Sequence, residues 1–184
     1  MSSVVIAGNT SGTVTLDAPA VAGTTVLTLP ATTGTVITTG NIPTGSVLQV
    51  VQGTYSTQTT SSSSTFADTG LTASITPSSS SNKILILVSH AGCLKYNTNT
   101  TIGMKIVRNS TDIHNFGGRT GLTDGTIANE VGTMATMYLD SPSTTSSTTY
   151  KTQYNSNANT GSVMLQDSTT GAITSTITLM EIKG

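Results

Sequence analysis

Apolar and polar residues alternate in several segments after residue 46, which is the pattern of β-strands that bury one face. In one clear case, Leu71, Ala73 and Ile75 are separated by single polar residues. Apolar runs such as Ile84–Val88 add strands that are buried more completely. The pattern predicts eight strands, at Val47–Tyr55, Phe66–Thr76, Lys83–Ala91, Thr101–Arg108, Gly132–Asp140, Thr148–Asn155, Ser162–Asp167 and Ala172–Ile182.

The connections between these strands are rich in Ser, Asn, Gly and Pro, which are turn residues. No segment of useful length has the apolar spacing of a helix. A helix fits at most into Thr123–Val131, and Gly125 and Gly132 limit its length. Eight antiparallel strands joined by short polar connections are typical of a β-sandwich. We therefore predict an all-β fold, with a jelly-roll head formed by residues 46–184.

The first 45 residues carry a different pattern, an internal repeat. Gly12, Gly23, Gly34 and Gly45 recur every eleven residues, each followed by Thr or Ser. A strand of about five residues plus a turn occupies this length. We predict that residues 1–45 form a separate arm of β-repeats.

The repeats of this arm are too poor in apolar residues to bury a core. The first offers Val14 and Leu16, and the second offers Leu27 and Leu29. Such a ribbon needs a partner surface, which is the rest of the chain, a sister chain or a docking site on a larger structure. The alternative is an N-terminal meander packed on its own domain.

Composition narrows the class of protein. Charged residues make up 8% of the 184 residues, the net charge is -1 and the mean hydropathy is +0.07. Disorder is disfavoured because it accompanies high net charge and low hydrophobicity. The near-neutral charge also argues against binding to nucleic acid or to an anionic membrane. An uncharged, Thr-rich surface favours self-association, as in assemblies of identical chains.

The N-terminal sequence has no features of a signal peptide, and no apolar stretch approaches the roughly 20 residues of a membrane span. We therefore expect a protein that is made in the host cytoplasm and does not insert into membranes. Release by lysis as part of a virus particle is one route to the outside.

The chain offers little for metal binding. Cys93 is the single cysteine and follows an apolar strand, so a small buried hydrophobic residue is expected there. His90 and His114 have no partner at a metal-ligand spacing and are expected to be ordinary surface or interface histidines. The alternative is a metal held by three copies of one histidine on the axis of a trimer. We predict no metal and no cofactor.

Catalytic constellations are not evident either. A glycosidase requires two carboxylates across a sugar cleft, and no spacing favours such a pair. The segment Phe116–Arg119 lacks the strand–loop–helix setting of a phosphate-binding loop. We predict a non-enzymatic protein and keep a polysaccharide depolymerase as a remote alternative. The acids are scattered, mostly beside turns: Asp17, Asp68, Asp112, Asp124, Glu130, Asp140, Asp167 and Glu181.

Two segments combine an aromatic ring with side-chain amides, a combination that suits sugars and adaptable protein contacts. They are predicted to be loops, and simple polar loops without a ligand are the alternative. The candidate receptor-contact residues, with one nearby cation, are Tyr96, Asn97, Asn99, Arg119, Tyr154, Asn155 and Asn157.

Several segments resemble a family of bacteriophage appendage proteins. Thr13–Gly23, followed by Leu27–Pro30 and Thr35–Val36, resembles an N-terminal segment of tail-fibre and other virion proteins of marine and freshwater phages, including cyanophages. The rest is similar to the small jelly-roll heads that accompany this segment. The matching stretches are Gln49–Gln52, Asp68–Leu71, Ile75–Pro77, Lys83–Ile86, Leu139–Pro142, Thr149–Lys151 and Ile177–Ile182.

The resemblance implies a homotrimer whose heads have tumour-necrosis-factor-like topology, with residues 1–45 joining other virion proteins of the tail or capsid. It implies a short tail fibre or fibre knob on the virion surface that contacts a host-surface glycan or protein. A capsid decoration protein, which stabilises the head of the particle, is the alternative. No shaft, heptad or collagen-like repeat gives the reach of a long fibre.

Overall fold

The computed structural model describes residues 3–7, 10–17, 21, 23–24, 26, 31–34, 36–97, 99–123, 129–158, 161–169, 171 and 173–184. The chain divides into two units, Met1–Thr38 and Thr39–Gly184. Every regular element in the described ranges is a strand, which confirms the all-β prediction. The strands are β1 Ser3–Ala7, β2 Thr13–Asp17, β3 Val47–Tyr55, β4 Thr59–Ser61, β5 Ala67–Ile75, β6 Lys83–Lys95, β7 Thr101–Arg108, β8 Thr111–Thr120, β9 Asn129–Asp140, β10 Thr148–Asn157, β11 Val163–Leu165 and β12 Ser175–Ile182.

The first unit contains one antiparallel hairpin, β1 with β2. Gly12 and Gly23 adopt φ angles of +79° and +59°, so glycine supplies left-handed turns in this repeat. The described residues of the second and third repeats form no strand, but residues 25, 27–30 and 35 lie outside the described ranges, so one strand per repeat stays a prediction. The described apolar side chains there are exposed, Val26 by 85% and Val36 by 70%. Leu27 and Leu29 lie outside the described residues.

The second unit is a sandwich of two antiparallel sheets. In the first sheet the order is β3-β12-β6-β9, and β11 and β4 extend it alongside the end of β6. In the second sheet the order is β5-β10-β7-β8. Strands that follow each other in the chain often lie in different sheets. Strands from early and late in the chain are therefore neighbours within each sheet. This interleaved order is that of a jelly roll, and it confirms the predicted sandwich.

Inward-facing side chains of both sheets fill the space between them. One cluster includes Leu71, Ile86 and Tyr150, and a second includes Cys93 and Met104. Cys93 is only 2% exposed, and burial raises the pKa of its thiol to about 11, so it is the buried residue expected from the sequence.

The edges of the two sheets approach closely where β3 meets β5. A β-carbon on Gly53 would lie 2.0 Å from the carbonyl oxygen of Thr72. Only glycine fits at this crossing, because any side chain would force the sheets apart.

Three strands were not expected from the sequence, namely β1, β4 and β8. Strand β8 has irregular pairing with β7 and includes Gly117 and Gly118, so it shows no simple alternation. The end of the segment proposed for a helix belongs to strand β9, and residues 124–128 lie outside the described ranges. Among the described residues, no helix has the length and apolarity needed to cross a membrane.

Candidate functional site

The outward face of the first sheet is apolar over its centre, and Lys83 is a charged outward residue at the start of β6. Because side chains alternate along a strand, Leu85 and Leu87 point outward between the buried Ile84, Ile86 and Val88. The strand register aligns the outward residues in three rows, which we call the apolar face: Val50, Met180, Leu85, Leu139; then Gln52, Thr178, Leu87, Met137; then Thr54, Thr176, Ser89, Ala135.

The bulkiest members of the apolar face are well exposed in the single chain. Met137 is 71%, Val50 57% and Leu139 48% exposed. A shallow hollow of about 460 Å³ lies among the second and third rows, between Leu87 and Thr178. Contiguous apolar surface of this kind on a soluble protein usually marks an interaction site.

The outward face of the second sheet carries charged pairs, and we call it the polar face. Lys151 Nζ lies 2.8 Å from Asp68 Oδ2, and the amide of Gln153 donates to the other carboxylate oxygen at 2.7 Å. The pKa of Asp68 lies below its usual value because the hydrogen bond from Lys151 outweighs the effect of partial burial. Lys105 and Asp112 form a second pair at 2.7 Å.

A groove of about 400 Å³ opens on the polar face at one end of the sandwich, and we call it the amide groove. It combines two aromatic rings, three side-chain amides and three glycines. Lys105 Nζ lies 4.3 Å from the centroid of the Phe66 ring, a cation–π contact that holds the ring in place. The lining residues are Phe66, Gly103, Asn115, Phe116, Gly117, Gly118, Asn155 and Asn157.

Asn155 is the least satisfied side chain of the groove. Its amide nitrogen donates to the carbonyl of Ser64 at 2.8 Å, and the residue is 6% exposed. Its Oδ1 meets no hydrogen-bond donor among the described residues. A β-carbon on Gly103 would lie 2.1 Å from this oxygen, so glycine preserves the space beside it. A buried acceptor without a donor is costly and usually has a functional explanation.

At the opposite end of the sandwich, the first residues of the head pair with its last residues. The Gly45 amide donates to the carbonyl of Lys183 at 2.8 Å, and the Lys183 amide donates to the carbonyl of Ser46 at 2.9 Å. Beside them, Glu181 accepts hydrogen bonds from Gln49, Ser78 and Asn82. Burial raises the pKa of Glu181, but these hydrogen bonds outweigh it and hold the pKa below its usual value.

No protein-family model matches this sequence, and a search of curated proteins gave no match. Solved structures with a similar fold include the VP2 subviral particle of infectious bursal disease virus. That likeness has a TM-score of 0.43 and 15% identity, and covers 74% of this chain and 33% of that one. A structure of the Gt strain of the same virus has a TM-score of 0.38 and 13% identity, covering 73% and 40%. The chain thus spans a third to two fifths of these viral chains, and similarity at this level does not establish a function.

The predicted contact residues fall into two groups. Tyr96, Asn97 and Asn99 lie in the loop between β6 and β7, at the same end as the amide groove. There the Tyr96 amide donates to the carbonyl of Ser162 at 2.9 Å, and the Asn99 amide donates to that of Thr123 at 3.1 Å.

Arg119 and Asn157 are exposed residues close to that loop, in strands β8 and β10. The Asn157 side chain donates to the carbonyl of Gly118 at 2.6 Å. The prediction that Tyr154 and Asn155 lie in a loop is wrong, because both belong to strand β10. Tyr154 points inward and is 3% exposed, so it is part of the core. Sequence reasoning missed Phe66, which directly precedes β5, Gly103 in β7 and Asn115 in β8, because none of them carries a local signal.

His90 is not the surface or interface residue expected from the sequence. It is fully buried between the sheets, where its Nε2 lies 2.8 Å from Thr152 Oγ1 and its Nδ1 lies 3.3 Å from the Gln166 amide. Burial lowers the pKa of its imidazole to about 4. It therefore cannot face the axis of an oligomer. His114 is partly buried and stacks on Tyr138, with 4.7 Å between ring centroids.

The described residues contain no group of three His, Cys, Asp or Glu side chains placed to hold a metal ion. The amide groove offers hydrogen-bond donors, acceptors and aromatic surface, and none of its lining residues is ionisable. Such an arrangement suits binding, since proton transfer needs a titratable group within hydrogen-bond reach of the reacting atom.

Proposed function

We propose that this chain is a non-enzymatic structural protein of a phage particle, a short trimeric tail fibre or fibre knob on the virion surface. The head would associate with two sister heads and contact a host-surface glycan or protein. The sequence resemblance to phage appendage proteins supports the phage setting. The apolar face is the single observation that carries the assembly part of the proposal.

The apolar face is suited to burial against another copy of the chain. Its first row, Val50, Met180, Leu85 and Leu139, is entirely apolar, and the next two rows add only neutral side chains. Specific interfaces typically have an uncharged, apolar centre of this kind. A closed ring of three copies would cover the face on every chain and leave none exposed.

The two ends of the head suit an attached adhesive protein. The arm leads into the end where Gly45 and Ser46 pair with Lys183. The amide groove and the loop that contains Tyr96 lie at the other end of the strands. A head anchored through residues 1–45 would thus present the groove and this loop away from its anchor.

Capsid decoration is the second candidate, favoured by the exposed apolar residues of the arm. Val21 is 91% and Val26 85% exposed, and a ribbon of this kind gains stability by lying on another protein. In this role the arm would lie across capsid subunits and the head would clamp them.

Three observations test the proposal. Sedimentation of the full chain should give a mass three times 18.7 kDa, and a monomer at micromolar concentration would refute both structural roles. Labelled antibodies on imaged virions should mark a few positions at the tail, whereas hundreds of copies on the capsid would favour decoration. The non-enzymatic part fails if the purified protein releases reducing ends from host-envelope glycans.

A further inference from the structure

We propose that the amide groove is a binding site for a neutral carbohydrate, recognised through the ring of Phe66 and the side-chain amides of Asn115, Asn155 and Asn157. The inference rests on the proposed adhesive role, and it names the ligand class and the residues that bind it.

The size of the groove is the first argument. Its volume of about 400 Å³ falls within the range of small-molecule sites, which is about 300 to 1,000 Å³. Protein partners meet broad surfaces, about 800 Å² on each side of a typical interface. A concave site of this size therefore fits one or two sugar rings better than a protein surface.

The chemistry of the lining is the second argument. A sugar ring has an apolar face of C–H groups and an edge of hydroxyls that both donate and accept hydrogen bonds. Phe66 and Phe116 offer flat apolar surface for the first. For the second, the amide oxygens of Asn115, Asn155 and Asn157 are acceptors, and the exposed amide of Asn115 also offers a donor. None of the lining residues is charged, and the charge of Lys105 beside Phe66 is paired with Asp112, so the site favours neutral sugars over acidic ones.

The unsatisfied oxygen of Asn155 is the third argument, independent of shape. Since the amide nitrogen is already used by Ser64, the orientation of the side chain is fixed. Oδ1 is then an acceptor for which the described residues supply no donor. A sugar hydroxyl is a donor of the right kind. Glycine at position 103 makes room for this oxygen, because a β-carbon there would strike it.

The test uses the full chain and a panel of neutral saccharides: glucose, galactose, mannose, N-acetylglucosamine and their disaccharides. Titration is followed by NMR through the side-chain amide signals of Asn115, Asn155 and Asn157. We expect at least one saccharide to shift these signals, with a Kd of about 1 mM for a single ring. If no member of the panel shifts them, the inference is wrong.

Two variants locate the site. No atom lies within 4 Å of a β-carbon built on Gly118, so Gly118→Leu should fold normally and fill the groove. We expect it to weaken binding more than tenfold. Asn115→Ala removes one exposed amide and should weaken binding about fivefold. The matched control is Gln58→Ala, which removes an exposed amide outside the groove and should leave the Kd unchanged. Equal binding by Gly118→Leu and the parent chain would overturn the inference.

The mass of the same samples separates this inference from the proposed function. A trimer that binds no saccharide refutes the groove and leaves the assembly role intact. A monomer that binds saccharide refutes the trimer and leaves the groove intact. An acidic sugar such as sialyllactose should bind no more tightly than its neutral part, and clearly tighter binding would contradict recognition of a neutral ligand.

Discussion

The two sheets of the head bury similar side chains between them and present different faces to solvent. The central outward residues of the first sheet are aliphatic, Met, Thr, Ser and Gln, with Lys83 at one end, whereas those of the second include the Lys151–Asp68 and Lys105–Asp112 pairs. Stability of the sandwich depends mainly on the inward residues. The outward residues are therefore free to differ, and under the proposed function the apolar face is the side that would meet sister chains.

The largest effect is expected from a charge placed on the apolar face. In Met137→Asp, a short carboxylate would be buried without a partner in the assembled protein. We expect association to weaken about 1000-fold, which corresponds to about 4 kcal/mol. Analytical ultracentrifugation across a concentration series measures this change.

The matched control for this variant is Ser74→Asp, at an exposed outward position of the polar face in strand β5. It should leave the mass unchanged. If both variants assemble as the parent does, the apolar face is not the interface. If both dissociate, the two faces do not differ as described.

The next effect concerns His90, which lies between the sheets that carry the two faces. Its pKa is lowered from 6.5 to about 4, so between these values the unfolded chain binds more protons than the folded one. Stability is therefore complete above pH 6.5 and is lost as the pH falls towards 4, by about 3 kcal/mol.

Chemical denaturation at a series of pH values measures this loss. His90→Gln should flatten the stability curve between pH 6.5 and 4. A parent chain whose stability does not change over this interval would contradict the buried neutral imidazole. Below pH 4 the carboxylates of Asp68 and Glu181, whose pKa values are lowered, add a further loss.

The smallest effect is expected on the polar face. Lys151→Met removes the ion pair with Asp68. The side chain of Lys151 is 29% exposed and that of Asp68 is 53% exposed. Exposed pairs contribute little, so the free energy of unfolding should change by less than about 1 kcal/mol. Thermal denaturation measures it, and the mass should remain that of the parent. A loss above about 2 kcal/mol would mean that this face is structurally more important than its exposure suggests.

The strands of the head were largely predictable, and their arrangement was not. Val47–Tyr55 and Thr101–Arg108 were predicted with the bounds that the structure gives, because their apolar residues recur regularly. Strand β8 escaped notice because bulges break its period and glycines weaken its propensity. The sheet order depends on pairs more than 60 residues apart, such as Leu85 with Met180, and a local pattern cannot contain them.

The candidate site was likewise predictable only where its residues are close together in the sequence. The amides at Asn155 and Asn157 were singled out from the sequence because they follow an aromatic residue. Their partners Phe66 and Gly103 lie in other parts of the chain, so only the fold brings them together. His90 was misjudged for a similar reason. Its partner Thr152 is distant in sequence, and nothing adjacent to a histidine indicates that it is buried.

The pairing of Gly45 and Ser46 with Lys183 has a mechanical consequence. Strand β3 starts at the anchored end and runs toward the end that bears the groove, so a pull between these ends acts along the strand. Hydrogen bonds between antiparallel strands are perpendicular to them, so the β3–β12 ladder would be loaded in shear, with all its bonds sharing the force. A pull between residue 39 and Gly184 would instead peel the same ladder pair by pair. We expect single-molecule stretching to require more force in the first geometry, which is the direction in which an attached particle would be tugged.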